Sequence, residues 1–450
     1  MGFNKKIKFI SEYFGIGLPF WMESRKTLFI FSFLDFLFIY LFFRYFTFNY
    51  FETINNGRFI CFAIIFSLTS YLSGRYSFLS LYESNSNKLF VLLIKTLIVT
   101  ISSFVIDKIL IIYFQNWIPI DRNKGIIIFF ISYFIQSFKF FLNIVFIKNK
   151  YFYLIGNKSQ KEIFTKDILS ISRFSKFIFK DFSEQKTDLY KFKTFIILGE
   201  NFQNFYENYS YLINDRSEIM TASKWCEKYL QRIPTKYLTK NDFNFNSLFN
   251  PSQSLNWRLK RFGDIVISIS LIFVSSPILI LAAFLIKLED KGPIFYTQER
   301  TGLYGKRFKI TKLRSMKKDS EKDGPVWAIL KDPRITKVGR ILRKSRIDEL
   351  PQLWSVIKGD MSLIGPRPER PEIEKLLVNE IPFYNFRNTV RPGLSGWAQV
   401  NYSYGASIED SKNKFSYDVF YLRNYSLLLD LLILLKTLKL IINMEGSDPK

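Results

Sequence analysis

Hydrophobic residues in the first third of the chain form four long runs, separated from one another by short polar stretches. The runs cover residues 27–48, 59–79, 89–114 and 125–147. Each is close to the length of about 20 residues that an α-helix needs to cross a bilayer. The pattern therefore predicts a membrane α-helical bundle of four transmembrane helices over residues 1–147.

A few charged residues interrupt these runs. Asp35, Arg44 and the neighbouring Asp107 and Lys108 lie within them. Asp35 by itself does not make a proton relay, so we expect it to face the interior of the bundle. The basic residues near the start, among them Lys5 and Lys6, predict a cytoplasmic N-terminus, and four crossings return the chain to that side.

Residues 148–255 have a more polar composition, with two short apolar segments at 151–156 and 194–199 that both end in glycine. Such segments are typical of buried parallel strands. They predict a small, degenerate Rossmann-like α/β domain, followed by a linker at residues 241–256. The G-x-G-x-x-G pattern of a dinucleotide site is missing after Gly156, so a role in packing or dimer contacts is favoured.

A fifth apolar run at residues 262–286 differs from the first four. It contains Ser276 and Pro277 near its centre, and both of its flanks are basic. Proline removes a helical hydrogen bond, and the preceding serine can bond a carbonyl that is freed. Symmetric basic flanks favour a broken, re-entrant helix that returns to the cytoplasmic face; the alternative is a kinked fifth crossing.

The amino-acid composition limits which side chains can take part in catalysis or metal binding. The net charge is +25 over 450 residues, the chain has no histidine, and its two cysteines, Cys61 and Cys226, lack metal-site spacing. Catalysis must then rest on carboxylates, Arg, Lys, hydroxyls or a bound cation. Because the positive charge lies beside apolar runs, it favours membrane lipids and phosphate ligands over nucleic acid as partners.

The acidic pair Asp348 and Glu349 lies within a strongly cationic stretch, and nearby arginines are expected to keep the pKa of such a carboxylate low. An ordered series of short motifs extends from residue 260 to residue 397. They are Lys260-Arg-Phe-Gly-Asp264, Gly292-Pro-Ile-Phe-Tyr-Thr-Gln298, Phe308-Lys-Ile-Thr-Lys-Leu-Arg-Ser-Met316, Asp332-Pro-Arg-Ile-Thr336, Asp348-Glu-Leu-Pro-Gln352, Gly359-Asp-Met-Ser-Leu-Ile-Gly-Pro-Arg-Pro368 and Arg391-Pro-Gly-Leu-Ser-Gly-Trp397.

Through these motifs the chain from about residue 256 onward resembles the polyprenyl-phosphate sugar-1-phosphate transferases, the monotopic phosphoglycosyl transferases of bacterial surface-polysaccharide initiation. The first 255 residues resemble the large form of this family, such as the undecaprenyl-phosphate galactose and glucose phosphotransferases.

The resemblance implies a mainly α catalytic domain over residues 256–450 and a reaction in two displacements. Asp348 matches the residue that attacks the sugar-bearing phosphorus of a nucleotide diphosphate sugar, and polyprenyl phosphate then displaces it. Glu349 matches the acid that holds Mg²⁺. Arg343 and Arg367 match arginines that contact phosphate, and Lys312 and Arg314 are expected to add to the same pocket. The family commonly has Asn where this chain has Ser355.

The resemblance further implies a UDP-sugar donor, an undecaprenyl phosphate acceptor, a homodimer, and a bacterial inner membrane with the catalytic domain facing the cytoplasm. The product would begin exopolysaccharide, O-antigen of lipopolysaccharide, or capsule synthesis. A catalytically inactive membrane scaffold of polysaccharide assembly is the main alternative. A transporter is poorly supported, since the four helices contain no internal repeat.

Overall fold

The computed structural model divides the chain into two compact units, residues 1–222 and 223–450. The two units are described separately below. The residues that the structure describes are 26–48, 56–76, 88–113, 122–146, 150–169, 177–181, 194–199, 218–239, 242, 255–317, 320, 332–402, 405 and 407–443.

The first unit begins with four apolar helices, at the places where the hydrophobic runs predict them. They are α1 (Lys26–Phe48), α2 (Asn56–Leu72), α3 (Lys88–Tyr113) and α4 (Arg122–Phe146). By length and composition, α1 and α3 each contain a segment sufficient to span a membrane, whereas the apolar parts of α2 and α4 are shorter. These helices are compatible with membrane association.

A buried polar cluster joins all four helices. Arg75, in the turn after α2, donates to Asp35 of α1 at 2.8 Å and to Thr96 of α3 at 3.1 Å. It also donates to the backbone carbonyl of Ser132 in α4 at 2.6 Å. Asp35 therefore faces the interior of the bundle, as expected, because a buried charge is tolerated only where it is paired and hydrogen-bonded.

A small parallel sheet follows the helices. Its strands are β1 (Lys150–Ile155), β2 (Phe177–Asp181), β3 (Thr194–Ile197) and β4 (Glu218–Thr221), in the spatial order β2-β1-β3-β4, and α5 (Lys158–Leu169) follows β1. The strands β1 and β3 lie where the two apolar segments predict them. The side chain of Gln160 lies close to Gly156 and Gly199, the glycines that follow these strands. No phosphate-binding glycine loop forms in the described part of this turn.

The second unit includes a segment that the sequence had grouped with the α/β domain. Helix α6 (Ala222–Leu230) and the residues after it pack on the C-terminal part of the chain. Ile233 donates its N–H to Ser416 at 2.9 Å, and the Trp397 indole donates to Gln231 at 2.9 Å. Most of the predicted linker lies outside the described residues, and the predicted boundary at residue 255 stays a prediction.

Helix α7 (Leu255–Asp290) contains the fifth apolar run and continues through Pro277, so the helix is not interrupted at the predicted break. Pro277 lacks the N–H that would bond the carbonyl of Phe273, and the Ser276 hydroxyl donates to that carbonyl at 2.8 Å. One narrow face of α7 is buried along its whole length, while apolar side chains such as Phe273, 81% exposed, cover the rest. The buried positions are Lys260, Asp264, Ser268, Ser275, Ala282 and Ile286.

The rest of the second unit is built from short elements. They are the antiparallel pair β5 (Phe295–Thr301) and β6 (Arg307–Leu313), α8 (Lys337–Lys344), α9 (Leu353–Lys358), β7 (Ser362–Ile364), α10 (Pro371–Glu380), β8 (Gly393–Ser395), α11 (Trp397–Asn401), α12 (Ile408–Arg423) and α13 (Leu427–Ile442). β7 and β8 pair in parallel. Of the 3₁₀ segments in this unit, Ile347–Gln352 connects α8 to α9, and Tyr384–Thr389 lies between α10 and β8. The first of them carries the acidic pair.

Candidate active site

Asp348 and Glu349 lie in the 3₁₀ segment between α8 and α9, and both are largely buried. Asp348 is 7% exposed and Glu349 is 8% exposed. Arg346, directly before the segment, adopts a left-handed conformation with φ of 56° and so turns the chain sharply after α8. The buried acidic pair lies directly after this turn.

Two cations from distant parts of the chain fix the Glu349 carboxylate. Lys312, on β6, donates to Oε1 at 2.8 Å, and Arg367 donates to the same oxygen at 2.6 Å. The guanidinium of Arg346 lies 3.8 Å from the other oxygen, Oε2. The structure thus brings together Lys312, Glu349 and Arg367, which the sequence separates by up to 55 positions (367 − 312 = 55).

Asp348 differs from its neighbour. Among the described residues, no hydrogen bond or ion pair engages its carboxylate, although Lys312, Arg343 and Arg367 act on it electrostatically. Burial, and then the charge of Glu349, raise the pKa of Asp348 to about 6. The expectation of a low pKa was therefore wrong for Asp348, because desolvation outweighs the surrounding cations; near neutral pH the group is still mainly ionised.

The pKa of Glu349 is shifted in the opposite direction. Burial alone would raise its pKa, but the charges of Arg367 and Lys312, with the hydrogen bond from Arg367, hold the pKa well below its usual range. Burial lowers the pKa of Lys312, and Glu349 opposes that shift. Glu349 and Lys312 therefore stabilise each other in their charged forms, and the site contains one fixed anion beside one free carboxylate.

The remaining two predicted phosphate ligands, Arg343 and Arg314, have different partners. Arg343, in the last turn of α8, donates from Nε to the Ser315 hydroxyl at 2.9 Å. Its charge acts to lower the pKa of Asp348. Arg314 instead pairs with Asp290, at the end of α7. The structure therefore associates Arg343 with the acidic pair and directs the Arg314 guanidinium to the end of α7.

The backbone that carries Arg367 is held at three successive carbonyl groups. The carbonyl of Arg367 accepts from Arg387 at 2.8 Å, and that of Pro368 accepts from Arg300 at 3.1 Å. The carbonyl of Glu369 accepts from the N–H of Thr301 at 3.0 Å. With prolines on both sides of Arg367, these bonds leave the segment little freedom, so the guanidinium is held in place before any substrate arrives.

Arg387 is buried within its own group of partners. It donates to the Tyr384 hydroxyl at 2.6 Å and to Asp418 at 3.1 Å, and it lies 3.4 Å from Glu369. Arg300 and Arg387 were both missed by the sequence analysis. No local sequence pattern indicates their role, because their bonds to the Arg367 segment join residues that are 68 and 20 positions apart.

Comparison with known proteins decides the family. A family model described as "Bacterial sugar transferase" matches residues 255–444. A UDP-glucose:undecaprenyl-phosphate glucose-1-phosphate transferase of Caulobacter vibrioides is 42% identical over 192 residues, which are 42% of this chain and 71% of that protein. The chain belongs to the bacterial sugar transferase family. This confirms the resemblance to polyprenyl-phosphate sugar-1-phosphate transferases.

Two further relatives of the bacterial sugar transferase family differ in the sugar that their names give. A UDP-N-acetylgalactosamine-undecaprenyl-phosphate N-acetylgalactosaminephosphotransferase of Aeromonas hydrophila is 47% identical over 189 residues, 42% of this chain and 45% of the relative. An undecaprenyl-phosphate galactose phosphotransferase of Salmonella typhimurium is 35% identical over 204 residues, 42% of this chain and 41% of the relative. The match thus spans less than half the length of these two relatives.

Residues outside the acidic pair stabilise the elements that carry the site. Asp332 accepts from the backbone and side chain of Arg334 at 2.8 to 3.0 Å, next to the start of α8. Asp264 of α7 accepts from the Ser362 hydroxyl at 2.7 Å and so holds β7, which leads to Arg367. Ser355 is buried in α9, and its carbonyl accepts three N–H groups that end the helix.

The residues of the site can be tested against the expected Mg²⁺. Within the described residues no group of three or more acidic or sulfur side chains suits a metal ion. A pair of carboxylates is nevertheless sufficient for Mg²⁺ when substrate phosphates complete its coordination. Oxygen Oε2 of Glu349 has only the contact to Arg346 at 3.8 Å, whereas Oε1 is engaged by two cations. The donor set therefore fits Mg²⁺ through Oε2.

Proposed function

We propose that this chain transfers a sugar-1-phosphate from a UDP-sugar to undecaprenyl phosphate and so begins the synthesis of a bacterial surface polysaccharide. The observation that carries the proposal is the difference between the two acids. Glu349 is fixed by Lys312 and Arg367, while Asp348 is buried, unpaired among the described residues and mainly ionised near neutral pH. A free carboxylate surrounded by phosphate-binding cations suits a nucleophile.

In the proposed mechanism, Asp348 attacks the sugar-bearing phosphorus of the donor. A bond forms from its carboxylate oxygen to phosphorus, the bond to the bridging oxygen breaks, and UMP leaves. The phosphate oxygen of undecaprenyl phosphate then attacks the same phosphorus and releases the Asp348 carboxylate. Lys312, Arg343 and Arg367 offset phosphate charge, which would otherwise repel an anionic nucleophile. A bound Mg²⁺ on Glu349 would supply further charge compensation.

The proposal is tested by presenting purified protein with undecaprenyl phosphate and radiolabelled UDP-sugars. The panel begins with UDP-N-acetylgalactosamine, the donor named for the Aeromonas relative, and includes UDP-glucose and UDP-galactose. We expect one donor to yield lipid-linked sugar phosphate and UMP. If none of the donors yields either product, the inactive scaffold is favoured instead.

The contacts of α7 support a re-entrant placement of this helix. Near its start, Lys260 pairs with Asp430 at 2.7 Å; near its end, Glu289 accepts the N–H of Lys337 at 2.7 Å. Both ends are thus bonded to the same folded unit, which has only one side of a membrane available to it. The exposed apolar side chains between them would be covered by lipid.

This placement predicts the accessibility of introduced cysteines. In a chain with Cys61→Ala and Cys226→Ala, we expect Arg258→Cys and Lys306→Cys, both exposed positions flanking the apolar part of α7, to react only with reagent that has entered the cytoplasm. Asn123→Cys, at the start of α4, serves as the control for the opposite side. Labelling of Arg258→Cys and Lys306→Cys from opposite sides would contradict a re-entrant α7 and favour a fifth crossing.

The buried Arg387 predicts a variant that weakens donor binding. Lysine at this position keeps the charge but cannot reach the Arg367 carbonyl, Tyr384 and Asp418 together. Loss of the bond that holds Arg367 should raise the donor KM about tenfold while kcat changes less. The measurement is steady-state kinetics of Arg387→Lys.

The control for Arg387→Lys is Arg423→Lys. Arg423 has a comparable set of partners, Glu227 and Asp242, away from the acidic pair. We expect it to lower thermal stability and leave the donor KM unchanged. Equal effects of the two variants on KM would show that Arg387 acts through general stability and does not position Arg367.

The implied homodimer stays a prediction. Size measurement of the purified protein in nanodiscs, where one or two chains per disc are distinguished by mass, tests it directly.

A further inference from the structure

Two arginines from different elements meet at the C-terminal end of α9. Arg261 of α7 donates to the carbonyls of Val356 and Ile357 at 2.6 and 2.8 Å. Arg391, just before β8, donates from Nε to the carbonyl of Gly359 at 2.9 Å. The carbonyls at the end of a helix attract cations, which explains why one guanidinium lies here, but two create a local excess of positive charge.

This excess of charge is not neutralised by the neighbouring carboxylate. Asp264 is near enough to act on Arg261, but it is occupied by the Ser362 hydroxyl at 2.7 Å and by the N–H of Leu363 at 3.2 Å. The like charge of Arg391 also acts on Arg261. Beyond its Nε bond, Arg391 makes no hydrogen bond or ion pair with the described residues, so its two terminal nitrogens remain available to an anion.

The surroundings of the two arginines are those of a membrane interface. Trp354 on α9 is 58% exposed, and the Lys358 ammonium lies 6.0 Å from the centre of its ring. Leu259 and Phe262, on the same stretch of α7 as Arg261, are exposed as well. Tryptophan beside Lys and Arg is typical of the level at which lipid headgroups lie.

We propose that Arg261, Arg391 and Lys358 bind the phosphate of an anionic phospholipid headgroup beside α7. The inference rests on the proposed placement of α7 in the membrane. It concerns a site separate from the reacting phosphates, because Lys358 ends α9, whereas Glu349 lies in the 3₁₀ segment before the start of α9, and six helical residues alone extend about 9 Å. The lipid would hold the start of α7 against α9. Helix α9 directly follows the 3₁₀ segment that carries the acidic pair, so the lipid would also stabilise that segment.

The test measures lipid binding and needs no transferase activity. Full-length protein in detergent is titrated with phosphatidylglycerol or with neutral phosphatidylcholine, and bound lipid is counted by native mass spectrometry. We expect a preference for phosphatidylglycerol, which Lys358→Gln and Arg391→Gln each reduce about fivefold. Lys358 forms no hydrogen bond with the described residues, so its variant keeps the fold even if Arg391→Gln disturbs α9.

Two controls make the result specific. Lys375→Gln removes one exposed charge from α10, away from the two arginines, and Arg391→Lys keeps the charge; both should leave the preference near the wild-type value. The proposal would be overturned if the preference for phosphatidylglycerol were unchanged in Lys358→Gln and in the double variant Lys358→Gln/Arg391→Gln. Displacement of phosphatidylglycerol by equimolar inorganic phosphate would also overturn it, since the site would then bind a soluble anion.

Discussion

Asp348→Asn is expected to abolish sugar-phosphate transfer while leaving the protein folded. Asparagine has the same shape but lacks the anionic oxygen that must form the bond to phosphorus, so the rate should fall by at least about a thousandfold. The fold should survive, since no hydrogen bond or ion pair with the described residues is lost and the burial that raises the pKa of Asp348 to about 6 disfavours its charge. The measurement is the initial rate of lipid-linked product, with thermal unfolding as a check.

The same prediction has a direct chemical readout. Wild-type protein given only labelled UDP-sugar should acquire one sugar-phosphate group on the peptide that contains Asp348, and Asp348→Asn should acquire none. Kinetics should be of the ping-pong type. Absence of the adduct together with sequential kinetics would mean that the lipid phosphate attacks the donor directly, and that Asp348 has a different role.

Glu349→Gln is the second variant for which a large effect is expected. The glutamine amide carries no charge, so Lys312 and Arg367 would lose the anion that both of them contact. Breaking one side of a buried ion pair costs about 3–5 kcal/mol, which should appear as a lower unfolding temperature. The rate of transfer should fall about a thousandfold, because the cations reorganise and the proposed Mg²⁺ ligand is lost.

Two causes of inactivity in Glu349→Gln, loss of the Mg²⁺ ligand and reorganisation of the cations, are distinguished by the response of the enzyme to metal. A chelator should stop the wild-type enzyme, and Mg²⁺ should restore it, whereas Mg²⁺ added in excess should not restore Glu349→Gln. The control is Glu372→Gln, an exposed acid in the first turn of α10, which should keep wild-type activity. Turnover that persists in excess chelator, or a Glu349→Gln enzyme with the wild-type Mg²⁺ requirement, would contradict the assignment of Glu349 to the metal.

Features with a local cause were predictable from the chain alone. Three of the apolar runs predicted the bounds of α1, α3 and α4 to within three residues, since length and hydrophobicity are properties of the segment itself. Helix α2 ends at Leu72, seven residues before the end of the predicted run. The bond from Ser276 to the carbonyl that Pro277 leaves without a partner follows from backbone chemistry within one turn. Strands β2 and β4 were not foreseen, because short strands depend on the neighbours against which they pair.

The sequence by itself determined the apolar helices, the family and the position of the acidic pair in the chain, because ordered motifs and hydrophobic runs are recognised without knowledge of contacts. Only the tertiary structure decided which acid is fixed and which is free. That difference depends on Lys312 and Arg367 reaching Glu349 from separate elements, and on burial raising the pKa of Asp348 against the nearby cations. Desolvation and long-range pairing are properties of the folded chain, so no local pattern could reveal them.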